Sequence, residues 1–248
     1  MFPRAALAIA GAVVALGTLV PTVTASALVG SDGSPRVASD SWASAGAAGS
    51  GVTLAPCADG AYSLIGGYWP DAVHWTFNVS TTPKGMNASA TEAIVRKSYS
   101  SITDAYNDCG RADKVSARNV YEGHTTRFAN VSKGGWCTQG DNRNVVSFVR
   151  LPIGVLAVTC TETSHGRITE ADIRISSRYN WALAKSSCSH QELLEPTLTH
   201  EVGHVYGLGH VGERKHPLLT MSVASDGACN NAASTLALGD MLGLESLY

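Results

Sequence analysis

The stretch His200-Glu201-Val202-Gly203-His204-Val205-Tyr206-Gly207-Leu208-Gly209-His210 constrains this chain more than any other. Its spacing is H-E-x-x-H-x-x-G-x-x-H. On a helix, residues four apart share a face, so His200 and His204 can aim ring nitrogens at one point. Zinc takes imidazole at roughly 2.0–2.1 Å, and a catalytic zinc keeps three protein ligands and one open position. Glu201 stands beside the first histidine, where its carboxylate can act as general base on a water in that position. A helix carried past Tyr206 would take His210 away from the other two. Gly207 can adopt positive φ without steric cost, so the chain can turn and bring His210 back. The stretch therefore predicts one zinc held by His200, His204 and His210, with Glu201 as the catalytic residue. The bland alternative, a helix with incidental histidines and a glycine cap, requires every fixed position to coincide by chance.

Local signals place this stretch on a helix over about Pro196 to Tyr206. Proline is tolerated at a first helical position, and Leu198, Val202 and Val205 form an apolar side opposite the histidines. Upstream, Ala72 to Val79 alternates like a strand, and Ser89-Ala90-Thr91-Glu92 reads as a capping box. Ile94, Val95, Tyr99, Ile102, Ala105, Tyr106 and Cys109 follow at helical spacing, with Gly110 as the stop. Asn144–Val149, Val155–Thr159 and Ile168–Ile175 read as strands, the first two separated by Pro152 and Gly154. His74, His124, His165, His190 and His216 have no ligand-spaced partner and read as surface histidines.

The signature, with Leu219-Thr220-Met221-Ser222 a short way downstream, resembles that of the metzincin clan of zinc peptidases, in which a Met-turn follows the third histidine. The segment from Leu236 to Tyr248 resembles the last helix of matrixin-type catalytic domains. Glu170-Ala171-Asp172-Ile173-Arg174-Ile175 resembles their substrate-flanking edge strand. The likeness runs from about Tyr68 to Tyr248 and is dense from Ile168 onward. It implies an α+β, matrixin-like fold: a mixed twisted β-sheet, an active-site helix, a Met-turn and a C-terminal helix. It also implies a zinc endopeptidase acting on an extended polypeptide that pairs with a sheet edge, and Met221 as a hydrophobic floor rather than a ligand. Val211 stands where matrixins usually carry serine. Ser222-Val223 replaces their Tyr-Pro, so no tyrosine ligand is proposed and substrate preference is left open. The resemblance allows calcium (Ca2+) as well, but no acidic cluster has the spacing that would name its ligands.

The remainder bounds the setting. Residues 1–27 carry one early cation, Arg4, then a run rich in Ala, Val and Leu, and end in Ala25-Ser26-Ala27. This is the pattern of a secretory signal peptide. Pro21, Thr22 and Thr24 interrupt the run before it reaches the roughly 20 residues of a membrane anchor. Residues 28–56 are rich in Ser, Gly and Ala, with Trp42 the main large apolar residue, and read as a flexible arm or a short pro-segment. Residues 57–248 form the expected catalytic domain. With 18 basic against 20 acidic residues and no basic run, neither nucleic acid nor an anionic membrane is expected as partner, and a secreted monomer is. Six cysteines imply three disulfides in an exported chain. Cys188 with Cys229, Cys137 with Cys160 and Cys57 with Cys109 is one pairing among those open. Pro56-Cys57-Ala58-Asp59 faintly resembles the latency cysteine of matrixins, but a disulfide role keeps the count even. Asn78, Asn87 and Asn130 open N-x-Ser sequons. Two other functions fit these features: a zinc hydrolase acting on a non-protein amide, and a secreted binding or toxin-like module with little turnover.

Overall fold

The alternation of Val73, Trp75 and Phe77 builds the strand on which the fold is laid out. In the computed structural model, which describes residues 28–29, 35–38, 42–43, 54–223 and 227–248, this is β5 (Val73–Phe77), and all three side chains are buried. It pairs in parallel with β6 (Asn119–His124) and with β7 (Asn144–Val149). Next come β9 (Arg167–Ser176), parallel to β7, and β8 (Val155–Ser164), antiparallel to β9. Beyond β8 lie β2 (Pro35–Ala38) and β1 (Leu28–Val29), while β3 (Trp42–Ala43) pairs with another part of β8. The sheet order is β1-β2-β8-β9-β7-β5-β6. The fold is α+β, with a mixed sheet and few helices.

One expectation is corrected here. The segment Glu170–Ile175 lies in β9, which is an interior strand flanked by β7 and β8, and so is not the edge. Its alternation is real: Ile173 and Ile175 are buried in the main core. Alternation reports which face is covered, however, and says nothing about whether both edges are paired. Residues 28–56, expected as a flexible arm or a short pro-segment, are described only in part. Parts of that segment run as strands, and β2 and β3 are antiparallel to β8. A sheet edge offers main-chain donors and acceptors whatever the side chains of the strand that joins it. The expected signal peptide, and the rest of this segment up to residue 53, lie outside the described residues.

The helices pack on the sheet through one core. The first, α1 (Ala88–Thr103), is capped by Asn87, whose Oδ1 accepts from the Ala90 N–H at 2.9 Å. Asn87 therefore does the capping expected of Ser89. The helix also ends earlier than the apolar spacing predicts: Ala105 has φ 44°, and Tyr106 is exposed. Tyr99 stacks on Trp75 with ring centroids 4.0 Å apart. The second, α2 (Leu194–Val205), begins two residues before Pro196, whose missing N–H still falls among the unpaired donors of the first turn. Leu198, Val202 and Val205 of α2 share a buried cluster with Val95 and Ile102 of α1. The third, α3 (Leu238–Glu245), is shorter than the expected 236–248 and adds Met241 and Leu244 to that cluster. Short ladders complete the chain. β10 (Trp181–Ala182) is parallel to β11 (Glu192–Leu193), and β12 (Leu208–Gly209) is antiparallel to β4 (Ser63–Leu64).

Three disulfides join Cys57 to Cys109, Cys137 to Cys160 and Cys188 to Cys229. Among the described residues no helix is long and apolar enough to cross a membrane. Cys137 lies in a loop rather than in a strand, so its bridge ties that loop to β8. The Cys188–Cys229 bridge spans 41 residues of sequence and encloses the whole of α2. Closing a loop of that size removes entropy from the unfolded chain worth about 3–4 kcal/mol. Cys188→Ser with Cys229→Ser should lower stability by about that much, read from denaturant unfolding. An unchanged midpoint would show that the bridge constrains nothing in the unfolded chain.

Candidate metal centre

Helix α2 carries His200 and His204 on one face, and the helix then stops. Gly207 takes φ +90°, and a Cβ there would sit 2.3 Å from the carbonyl oxygen of Gly67. Both facts exclude side chains at this position. The turned chain pairs through β12 with β4, and the Gly207 carbonyl accepts from the Ile65 N–H at 2.9 Å. His210 is thereby brought back, as the spacing predicts. Its Nε2 lies 2.9 Å from that of His200 and 3.1 Å from that of His204, and the latter two are 3.1 Å apart.

Protonation can be read from the outer ring nitrogens. His200 Nδ1 donates to the Thr220 carbonyl at 2.7 Å, and His204 Nδ1 to the Leu208 carbonyl at 2.8 Å. A carbonyl oxygen only accepts, so in the neutral rings each Nε2 carries a lone pair and no proton lies between them. Tetrahedral ligands at 2.0–2.1 Å from an ion stand about 3.3 Å apart, within a few tenths of an ångström of what is seen. Burial, and then the neighbouring histidines, hold both imidazoles well below their ordinary pKa, in the neutral form a metal requires. Among the described residues, this is the one group of three or more His, Cys, Asp or Glu side chains able to hold an ion.

Glu201 is fully buried beside the triad. Thr159 of β8 donates its hydroxyl to Glu201 Oε2 at 2.5 Å, while Oε1 is buried with no hydrogen-bond partner. Burial pushes the carboxyl up to about 8, against the pull of the Thr159 hydroxyl. A cation among the histidines would act in the opposite direction. Met221 is 2% exposed and packs so closely beneath α2 that a Cβ on Gly203 would meet its sulfur at 2.3 Å. Asp240 of α3 accepts from the main-chain N–H groups of Thr220 at 2.9 Å and Met221 at 3.1 Å.

Thr159 and Asp240 were not predicted as site residues. A threonine in a strand and an acid in a helix's first turn carry no local mark of such roles. Outside the triad, His74, His124 and His216 each face a carboxylate, of Glu122, Glu92 and Asp59 respectively. A second group of buried acids lies at the loop before β7. Glu170 accepts from Asn130 Nδ2 and the Asn142 N–H, and Asp172 from the Val145 N–H. Burial, with the Glu170 carboxyl beside it, pushes Asp172 up to about 9, so it is protonated at neutral pH. No family model matches the chain, and no curated protein matches it.

Gly207→Ala should combine backbone strain with the clash at Gly67 and cost about 2–4 kcal/mol, with weaker metal binding, read by thermal unfolding and metal titration. Normal stability and affinity would remove the requirement for glycine. Asp172→Asn should gain stability relative to the parent as pH rises from about 4 to about 9. The folded pKa is raised above the unfolded one, so the parent's stabilisation from this group is full at low pH and is lost on the way up. The slope is at most about 1.4 kcal/mol per pH unit. Parallel stability curves for parent and variant would show that Asp172 is ionised in the fold.

Proposed function

We propose that the protein is a secreted zinc endopeptidase of the metzincin clan, matrixin-like in its catalytic domain. The observation that carries this reading is the convergence of three Nε2 atoms, two fixed as lone-pair donors by their Nδ1 contacts, next to a buried carboxylate. His200, His204 and His210 would hold the ion. When bound, zinc lowers the pKa of a coordinated water and polarises a carbonyl oxygen.

The chain's own residues supply the rest. Glu201 accepts a proton from the attacking water on Oε1 and returns it to the amine that leaves as the peptide bond breaks. Met221 and Val202 belong to the apolar core in which α2 is packed, and Asp240 holds the Met-turn that carries the Thr220 carbonyl. An extended polypeptide would lie along β8, the strand from which Thr159 reaches Glu201.

The test is cleavage of casein by protein lacking residues 1–27. Glu201→Ala should retain zinc and fold while losing roughly 10²–10⁴-fold in rate. His204→Ala should lose the metal by elemental analysis, and activity with it. Equal turnover by the parent and Glu201→Ala would overturn the base assignment.

A further inference from the structure

We propose that Thr159 is a positioning residue for Glu201, an inference that rests on Glu201 acting as the base. Thr159 is fully buried in the middle of β8, where it pairs with Ile173 of β9. Its hydroxyl lies 2.5 Å from Glu201 Oε2 and 3.1 Å from the Glu201 carbonyl oxygen. A hydroxyl has one hydrogen to give, and the nearer carboxylate oxygen takes it. The carboxylate is therefore held by one oxygen, and the other, Oε1, is buried without a partner. That division suits a base: Oε2 is fixed, and Oε1 is left to accept a proton.

The anchor is itself rigid. Val158 and Cys160, on either side of Thr159, pack in a separate apolar cluster with Val131 and Leu151. Cys160 is bonded to Cys137. A β-branched residue also has restricted χ1, so the hydroxyl cannot swing far. Glutamate, by contrast, has three side-chain torsions. The Thr159 hydroxyl is what restrains its carboxylate, and orientation within a fraction of an ångström governs proton-transfer rates.

The test compares Thr159→Val, which keeps shape and removes the hydroxyl, with Thr159→Ser, which keeps the hydroxyl. Both are assayed as zinc-loaded protein lacking residues 1–27, on fluorescently labelled casein. Thr159→Val should retain its zinc and lose roughly 10- to 100-fold in kcat, with KM within about twofold. Thr159→Ser should recover kcat to within about threefold of the parent. A Val variant with the parent's kcat, or a Ser variant as slow as the Val one, would overturn the proposal, the second because packing alone would then explain the loss. Thr159→Ala replaces the Val variant if that does not fold. Crystal structures of the zinc-loaded parent and variant give a readout apart from activity. The parent should keep the hydroxyl on Oε2, and the variant should show the carboxylate rotated. A hydroxyl turned away from Glu201 in the parent would overturn the proposal. If the parent cleaves nothing, the base role of Glu201 fails, and the crystal comparison still decides the contact.

Discussion

The carboxylate of Asp240 accepts main-chain N–H groups from Thr220, Met221 and Ala237 at 2.9–3.1 Å, in an interior where such groups find no water. Unmet, each would cost about 1–3 kcal/mol. Much of the site hangs on this exchange. With its N–H held, Thr220 presents its carbonyl to His200 Nδ1, which sets that ring's tautomer and direction. Met221, held in the same way, fills the space under Gly203. The chain's last helix thus governs a ring on α2 through two hydrogen bonds in series, the kind of outer support that orients metal ligands generally.

Burial acts on this centre in opposite senses. It pushes the Glu201 carboxyl up and the His200 and His204 imidazoles down, so that both kinds of group favour their neutral forms. A histidine triad in water would carry protons in mild acid. Enclosed between α2 and the turn at Met221, His200 and His204 keep their Nε2 lone pairs available. The same enclosure makes contacts to single atoms matter, because an unsatisfied oxygen there has no solvent to turn to.

The convergence of the three histidines and the glycine turn were legible because they depend on spacing along one short stretch. The helical face, the positive φ of Gly207 and the return of His210 follow from local geometry. Features set by distant parts of the chain were not legible. Ile173 and Ile175 announce a buried face, but only the neighbours of β9 decide that it is an interior strand. Asn87 and Ser89 are both competent caps, and the choice falls to the residue whose oxygen meets Ala90. Tyr106 continued an apolar spacing after the helix had ended at Thr103. Thr159 and Asp240 act across 42 and 20 positions of sequence, a distance over which a single chain leaves no pattern to read.

The position of β2 and β3 has a consequence for anything that recognises the β8 edge. Those strands already use its main-chain donors and acceptors around Ala157 and Cys160 to Glu162. A newcomer binding there replaces one set of ladder hydrogen bonds by another, so the backbone contributes little net driving force. Discrimination then falls to side chains. The apparent affinity is also scaled by the fraction of molecules in which the edge is vacant, since a ligand can bind only that population. Recognition at this edge is an exchange between two strands, and local concentration favours the one that is covalently attached.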